Sequence, residues 1–125
     1  MRILILDDDE DRHKKFAEWF NGLDVKHVYN LRSFIEAINS EKWDTVFLDH
    51  DLYDFVDLPD GGSRELTGKD AAKALCLLDL ESRPSKVIVH SWNPSGAESM
   101  MSILKDAGFN PIRWVFDPSS YIYFS

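Results

Sequence analysis

Short apolar runs that alternate with amphipathic segments constrain this fold more than any other feature of the sequence. Five runs rich in β-branched or aromatic residues predict strands: RILIL (2–6), DVKHV (24–28), DTVFL (44–48), KVIVH (86–90) and IRWVF (112–116). Three of them are continuous apolar runs, which is typical of parallel strands that are covered on both faces. The sequence therefore predicts a sheet buried between two layers of helices.

Between the strands, four segments repeat apolar residues at the spacing of one helical face. These residues are Phe16, Trp19, Phe20 and Leu23; Leu31, Phe34, Ile35 and Ile38; Ala71, Ala74, Leu75 and Leu78; and Ala97, Met100, Met101 and Leu104. Asn30, Thr67 and Ser95 are candidate N-caps for the last three helices. Alternating strands and helices joined by right-handed crossovers predict an α/β doubly wound parallel sheet.

The length of 125 residues fits one domain, 1–125, and 44% hydrophobic residues are enough to fill its core. The stretch 52–66, LYDFVDLPDGGSREL, lies between the third strand and the third helix. It is longer than the usual connections of about 2 to 6 residues, so we expect a long loop that acts as a lid or binding loop. A tolerated surface insertion is the alternative.

Charge and cysteine content restrict the functions that this chain can have. A net charge of −8 and a pI near 4.8 oppose general nucleic-acid binding but allow a small phosphorylated ligand if a cation or a few local basic residues offset the acids. A single cysteine, Cys76, excludes an internal disulfide framework. The opening MRILILDDD is too short for a signal sequence or a membrane span, so we expect a cytoplasmic protein. The oligomeric state is left open.

Ionisable residues follow the predicted strands at the edge where ligands bind in open parallel sheets. They are Asp7, Asp8 and Asp9; Asp49, His50 and Asp51; His90, with Ser91 and Asn93; and Asp117. Carboxylates gathered this closely repel one another unless a cation lies among them. Oxygen ligands favour Mg²⁺ or Mn²⁺, while the histidines also suit Zn²⁺ or Fe and acid–base chemistry near neutral pH. The alternative is that the first acids only cap a helix.

Three of these motifs resemble those of receiver domains in two-component signalling: ILILDDDEDR, VFLDHDL and VIVHSWN. The resemblance implies a flavodoxin-like sheet of order 2-1-3-4-5, with Asp7 and Asp8 as the acidic pair and Asp49 as the phospho-acceptor. It also implies Ser91 as the switch hydroxyl and the Asp51 carbonyl as a Mg²⁺ ligand. Receivers carry Lys-Pro after the fifth strand, where this chain has Asp117-Pro118. The segment that follows, SSYIYFS, is too short for the last helix of receivers, so we expect that helix to be missing or truncated.

The combination of LDHDL, TGKD and VHSWNPSGAESM is more similar to the cyclic-phosphate processing branch of receivers, found in phages and bacteria. It implies metal-dependent hydrolysis or sensing of a cyclic phosphate or nucleotide-derived ligand. The predicted metal ligands are Asp7, Asp8, Asp49 and Asp51. The predicted catalytic residues are His50, His90 and Asp49. The predicted phosphate-binding residues are Ser91, Asn93, Gly96, Arg64 and Lys69. The alternatives are a phospho-accepting signalling domain and a non-hydrolytic nucleotide-binding module, in which Tyr53, Phe55 or Trp92 stacks on a base.

Overall fold

The structure is a computed structural model that describes residues 1–117. Its elements, in chain order, are β1 (Arg2–Leu6), α1 (Glu10–Trp19), β2 (Asp24–Val28), α2 (Leu31–Ser40), β3 (Thr45–Leu48), β4 (Asp51–Asp57), β5 (Ser63–Thr67), α3 (Gly68–Cys76), a 3-10 turn (Leu80–Ser82), β6 (Lys86–Val89), α4 (Pro94–Asp106) and β7 (Ile112–Arg113). The expectation of a missing or truncated last helix concerns residues 118–125 and lies outside the described residues.

The central sheet has five parallel strands in the order β2-β1-β3-β6-β7. This is the predicted flavodoxin-like order, because β6 and β7 are the fourth and fifth strands once the added pair β4 and β5 is set aside. The last strand is shorter than predicted: only Ile112–Arg113 is assigned to it. The doubly wound parallel fold is thus confirmed.

Side chains of alternate residues in β1 enter different layers of the core, as the two-residue period of a strand requires. Ile3 and Ile5 pack with Phe16 of α1, whereas Leu4 and Leu6 pack on the opposite side. The opposite layer is larger and contains apolar residues of three helices, including Phe34 of α2, Leu75 of α3 and Met100 of α4. Helices on both faces bury the sheet and leave its carboxyl rim as the place for polar groups.

The helix starts agree with the sequence for α2 and α3 but not for α4. The side chain of Asn30 accepts a hydrogen bond from the amide of Ser33, and Thr67 forms a capping box with Asp70. For α4 the N-cap is Asn93, so the prediction of Ser95 is wrong. The reason is the proline at position 94, which lacks an amide proton and has the backbone angle of a first helical residue.

The segment 52–66, expected to be a long loop, forms most of an antiparallel hairpin of β4 and β5 instead. The amide of Leu58 donates to the carbonyl of Gly62 across its turn at 2.8 Å, and Gly61 adopts the left-handed conformation with φ of 90°. The sequence PDGG, flanked by aromatic and β-branched residues, is a turn signal that accounts for this hairpin. Its role as a lid stays a prediction.

None of the helices within residues 1–117 has the length and apolar character needed to cross a membrane.

Candidate functional site

Asp7, the first residue after β1, is the fully buried centre of the carboxyl rim. Its Oδ2 accepts hydrogen bonds from Nε of Arg12 at 2.7 Å and from Nε2 of His90 at 2.8 Å. Its Oδ1 accepts from Nη2 of Arg12 at 2.8 Å and from the amide of Asp9 at 2.8 Å. Burial alone raises the pKa of Asp7, but the bonds from His90 and Arg12 outweigh it and hold the pKa well below its usual range. Asp7 is therefore an ionised, fully hydrogen-bonded carboxylate.

Arg12 is the site residue that the sequence analysis missed. Besides its paired bonds to Asp7, its Nη2 lies 3.3 Å from Oδ2 of Asp49 and 3.6 Å from Oδ1 of Asp8, and its Nη1 lies 3.7 Å from Asp9. Asp8 and the N-cap residue Asp9 come just before α1, and spacings of four and three residues place them beside Arg12 in its first turn. That spacing was the available signal, and it shows that the acidic cluster has a cation of its own.

The two remaining carboxylates of the cluster are less well compensated. Asp49 follows β3 and is buried; its Oδ1 accepts from the amide of His50 at 2.9 Å. Burial, together with the negative charge of Asp7, raises the pKa of Asp49 to about 8. Burial and Asp7 also raise the pKa of Asp8. One guanidinium thus leaves residual repulsion among these acids.

The predicted metal ligands Asp7, Asp8 and Asp49 come together, each offering a carboxylate oxygen, and these oxygens all lie within 4.8 Å of one another. An all-oxygen donor set of this kind fits a hard divalent cation such as Mg²⁺ or Mn²⁺. Asp8 and Asp49 have the greater spare capacity, because both oxygens of Asp7 are hydrogen-bonded. The cluster therefore fits a divalent cation in its chemistry, although Arg12 contacts the same carboxylates.

His90 and His50, the two predicted catalytic histidines, each bond to a carboxylate. His90 is buried against Phe16 and donates Nε2–H to Asp7. Burial lowers the pKa of His90, and its hydrogen bond to Asp7 only partly offsets this. The His50 ring donates Nδ1–H to Oδ1 of Asp51 at 2.7 Å. Neither Nδ1 of His90 nor Nε2 of His50, both buried, has a hydrogen-bond partner within residues 1–117.

Three predicted phosphate-binding residues lie together at the start of α4 and already bond to one another. Oγ of Ser91 accepts from the amide of Asn93 at 3.0 Å, and Oδ1 of Asn93 accepts from the amide of Gly96 at 3.0 Å. The side-chain amide of Asn93 also reaches Asp51 at 3.4 Å. A Cβ on Gly96 would lie 2.5 Å from the His50 ring, so the glycine permits close packing of α4 on that ring. The phosphate-binding role of these residues stays a prediction.

The other predicted phosphate-binding residues lie on the hairpin side of the rim. Arg64 of β5 is exposed and pairs with Asp70 at 3.1 Å, and Lys69 is exposed in the first turn of α3. Asp117, where the resemblance places a lysine, is also exposed. None of these three lines the cleft described next. Within residues 1–117, the positive charge beside the acidic cluster comes from Arg12.

A cleft of about 270 Å³ opens above the cluster. It is lined by four acidic residues, one arginine, one histidine and two aromatic residues: Asp8, Asp9, Asp49, Asp51, Arg12, His90, Tyr53 and Trp92. Tyr53 is 82% exposed and Trp92 66% exposed, whereas Phe55, which is 56% exposed on the same hairpin, does not line the cleft. Tyr53 has a φ of 48°, the left-handed region that non-glycine residues rarely adopt. The indole of Trp92 donates to the carbonyl of Phe116 at 3.0 Å, which fixes its ring.

Comparisons with known proteins agree with this geometry. Residues 2–106 match the family described as the cyclic-phosphate processing receiver domain. No curated protein matches the chain. The solved structures described next are less than 25% identical to this chain, and their similarity shows the fold alone.

Three solved structures illustrate that similarity. A receiver domain from Methylobacillus flagellatus has a TM-score of 0.69 at 18% identity, covering 99% of this chain and 94% of its own. The receiver domain of a sensor histidine kinase from Pseudomonas aeruginosa PAO1, with magnesium in its active-site cleft, has a TM-score of 0.69 at 15% identity, covering 98% and 92%. A response regulator from Burkholderia pseudomallei, with a phosphorylated aspartic acid and a calcium ion, has a TM-score of 0.67 at 17% identity, covering 97% of this chain but only 64% of its own.

Proposed function

Because the chain belongs to the family of cyclic-phosphate processing receiver domains, we propose that it binds a nucleotide-derived cyclic phosphate at the carboxyl rim and hydrolyses it. The composition of the cleft carries this proposal. Arg12 and the acidic residues line this cleft together with Tyr53 and Trp92, whose side chains are largely exposed. A phosphate needs a cation and a nucleobase needs aromatic surface, and one cleft offers both.

The aromatic pair favours a nucleotide over a bare phosphate or sugar phosphate. Stacking of a base on an aromatic side chain is worth about 1–3 kcal/mol. The left-handed backbone of Tyr53 costs about 1–3 kcal/mol, and such strain clusters at ligand sites. Tyr53 and Trp92 therefore form the base subsite in this proposal.

Hydrolysis adds one water to the ring: the water oxygen bonds to phosphorus, and the bond from phosphorus to one ester oxygen breaks. Asp51 is the proposed base, since it lines the cleft and His50 holds its Oδ1 through Nδ1–H at 2.7 Å. The water proton passes to Asp51 and on to solvent, and the leaving oxygen takes a proton from solvent at the open side of the cleft. His50 and His90 are the supporting groups that hold Asp51 and Asp7 in place.

Asp8 and Asp49, with Asp7 behind them, would hold the divalent cation. Such a cation, when bound, polarises a phosphoryl oxygen and neutralises charge that develops in the transition state. Without the cation, Arg12 and His90 keep Asp7 ionised, so that this carboxylate is ready to bind one. A metal-binding role for the Asp51 carbonyl stays a prediction.

Ligand binding is tested with a pair of probes and a matched control. Calorimetry with 2′,3′-cyclic and 3′,5′-cyclic nucleotides is compared with inorganic phosphate for the wild type, Tyr53→Ala, Trp92→Ala and Phe55→Ala. We expect about a 5- to 150-fold loss of nucleotide affinity for the first two variants, in line with one stacking contact. Phe55→Ala and phosphate binding should change little. Equal effects of all three variants would contradict a base subsite.

Turnover is tested on the same cyclic nucleotides with Mg²⁺ or Mn²⁺, and the products are followed by ³¹P NMR. Asp51→Asn should abolish ring opening, and His50→Gln should lower its rate and change its pH profile, because the base then loses its imidazole partner. Tight binding with the ligand recovered intact would refute hydrolysis and support a module that only binds the nucleotide. No binding and no turnover for any cyclic nucleotide would refute both.

One observation favours phospho-acceptance as a second candidate. Asp49 is buried directly after β3, and its Oδ2 lies 3.3 Å from Arg12, which would be the nearest cation to an acyl phosphate. Incubation with acetyl phosphate or beryllofluoride and Mg²⁺, followed by intact mass spectrometry or tryptophan fluorescence, tests it. An adduct that Asp49→Asn removes would support signalling, and its absence would refute phospho-acceptance from these donors.

A further inference from the structure

Arg12 contacts the same carboxylates that would hold a divalent cation. Asp7, Asp8 and Asp49 each contribute an oxygen to the cluster, and a nitrogen of Arg12 lies within 3.6 Å of all three residues. Its Nη2 is 2.8 Å from Oδ1 of Asp7 and 3.3 Å from Oδ2 of Asp49. A Mg²⁺ ion needs oxygen ligands at about 2.0–2.1 Å. A divalent cation held by these carboxylates would therefore compete with the guanidinium for the same oxygens.

We propose that Arg12 is an internal counter-ion that a divalent cation displaces, so that metal entry releases the guanidinium into the cleft to bind the ligand's phosphate. This inference rests on the divalent-cation site of the proposed function. It assigns Arg12 two positions: paired with Asp7 and Asp49 without metal, and facing the ligand with metal.

The surroundings of Arg12 allow this movement. Its side chain is 26% exposed and lines the cleft, so a path outward from the cluster is open. The side chain is attached to the first turn of α1, whose N-cap bond from the Arg12 amide to Asp9 does not involve the guanidinium. The planar guanidinium, once free, matches phosphate through two parallel hydrogen bonds.

Charge supplies the driving force. The guanidinium carries a single positive charge among Asp7, Asp8, Asp9 and Asp49, all within 3.7 Å of it. A divalent ion would neutralise the same acids better and from a shorter distance. The freed charge of Arg12 is then available to an anion, at a rim where Asp117 replaces the lysine implied by the resemblance.

Solution NMR follows Arg12 directly. The Nε–H signal of Arg12, assigned by its loss in Arg12→Lys, should be slow to exchange without metal because Nε donates to Asp7 at 2.7 Å. Saturating Mg²⁺ should shift this signal and speed its exchange with water, and inorganic phosphate should shift it further only when Mg²⁺ is present. A signal that stays unchanged at saturating Mg²⁺, or responds equally to phosphate without Mg²⁺, would overturn the inference.

Metal affinity provides a second readout, measured from free Mn²⁺ by electron paramagnetic resonance. Arg12→Gln should bind Mn²⁺ about tenfold more tightly than the wild type, a typical size for coupling between two sites. Arg64→Gln, which removes an exposed arginine paired with Asp70, is the matched control and should bind as the wild type does. Equal or weaker binding by Arg12→Gln would overturn the displacement.

The outcomes separate this inference from the proposed function. Mn²⁺ binding that leaves the Arg12 signal in place would refute displacement and keep the metal site. Failure of both the wild type and Arg12→Gln to bind Mn²⁺ would refute displacement and the metal component together. Nucleotide binding without metal would still be measured separately through Tyr53 and Trp92.

Discussion

Replacement of Gly96 by alanine should destabilise the fold through one contact. The new Cβ would lie 2.5, 2.6 and 2.8 Å from Cδ2, Cγ and Nδ1 of the His50 ring, where ordinary contacts are 3.4–4 Å. The ring cannot easily retreat, because Asp51 binds its Nδ1 at 2.7 Å and α4 covers it. Overpacking of this kind costs about 1–3 kcal/mol. Alanine recovers up to about 0.5–1 kcal/mol of helix propensity, so we expect a net loss of about 1–2 kcal/mol in the free energy of unfolding.

A double-mutant cycle isolates that contact. Urea unfolding is measured for the wild type, Gly96→Ala, His50→Ala and the double variant. Without the ring, Gly96→Ala should be neutral or slightly stabilising, so the coupling energy between the two positions should be about 1–3 kcal/mol. The same cost of Gly96→Ala in both backgrounds, or no cost in the wild type, would refute the packing explanation. The glycine would then be free to serve phosphate binding alone.

Three further predictions concern other parts of the molecule. Asp49→Asn should stabilise the metal-free protein above about pH 5. The folded pKa of Asp49, about 8, exceeds the reference value of 3.8, so the native state holds the proton more tightly and wild-type stability falls as the pH rises between these two values. Thermal melts in EDTA should therefore show a flatter pH profile for the variant than for the wild type. A steeper profile for Asp49→Asn would contradict the raised pKa. Tyr53→Asn should keep or raise the melting temperature, since asparagine tolerates the left-handed backbone, and calorimetry should show weaker nucleotide binding. A large loss of stability would contradict backbone strain at this residue. Thr67→Ala should lower the free energy of unfolding by about 1 kcal/mol in urea titrations, through loss of the capping box that starts α3, and no change would show that the cap is dispensable.

The fold was predictable because its signals are periodic. Continuous apolar runs identified β1, β3 and β6 as buried parallel strands, and the order of elements left few topologies. The hairpin of β4 and β5 was not predicted, because most of it is exposed and therefore lacks an apolar run. The turn at PDGG was nevertheless visible in the sequence. This turn signal, rather than an apolar run, is the part of the sequence that indicates the hairpin.

The site was predictable in position but not in the direction of its side chains. Strand ends placed Asp7, Asp49 and His90 on one rim, and the structure brings them together. Sequence alone could not show that His50 packs beneath α4, because that depends on how closely the helix approaches at Gly96. Arg12 was missed because an arginine in the first turn of a helix usually faces solvent. Its spacing from Asp8 and Asp9 was the signal that it pairs with them.

The charges of the rim also determine how ligand and metal must depend on each other. Arg12 pairs with Asp7 and Asp49, so a phosphate entering the metal-free cleft would meet a cation already bound to acids, beside the further carboxylates of Asp8 and Asp9. A divalent cation removes both obstacles at once. By linkage, a ligand that binds better with metal must raise metal affinity by the same factor. Metal affinity measured with and without a cyclic nucleotide should therefore differ as much as nucleotide affinity measured with and without metal, and a base subsite at Tyr53 and Trp92 should not alter that ratio.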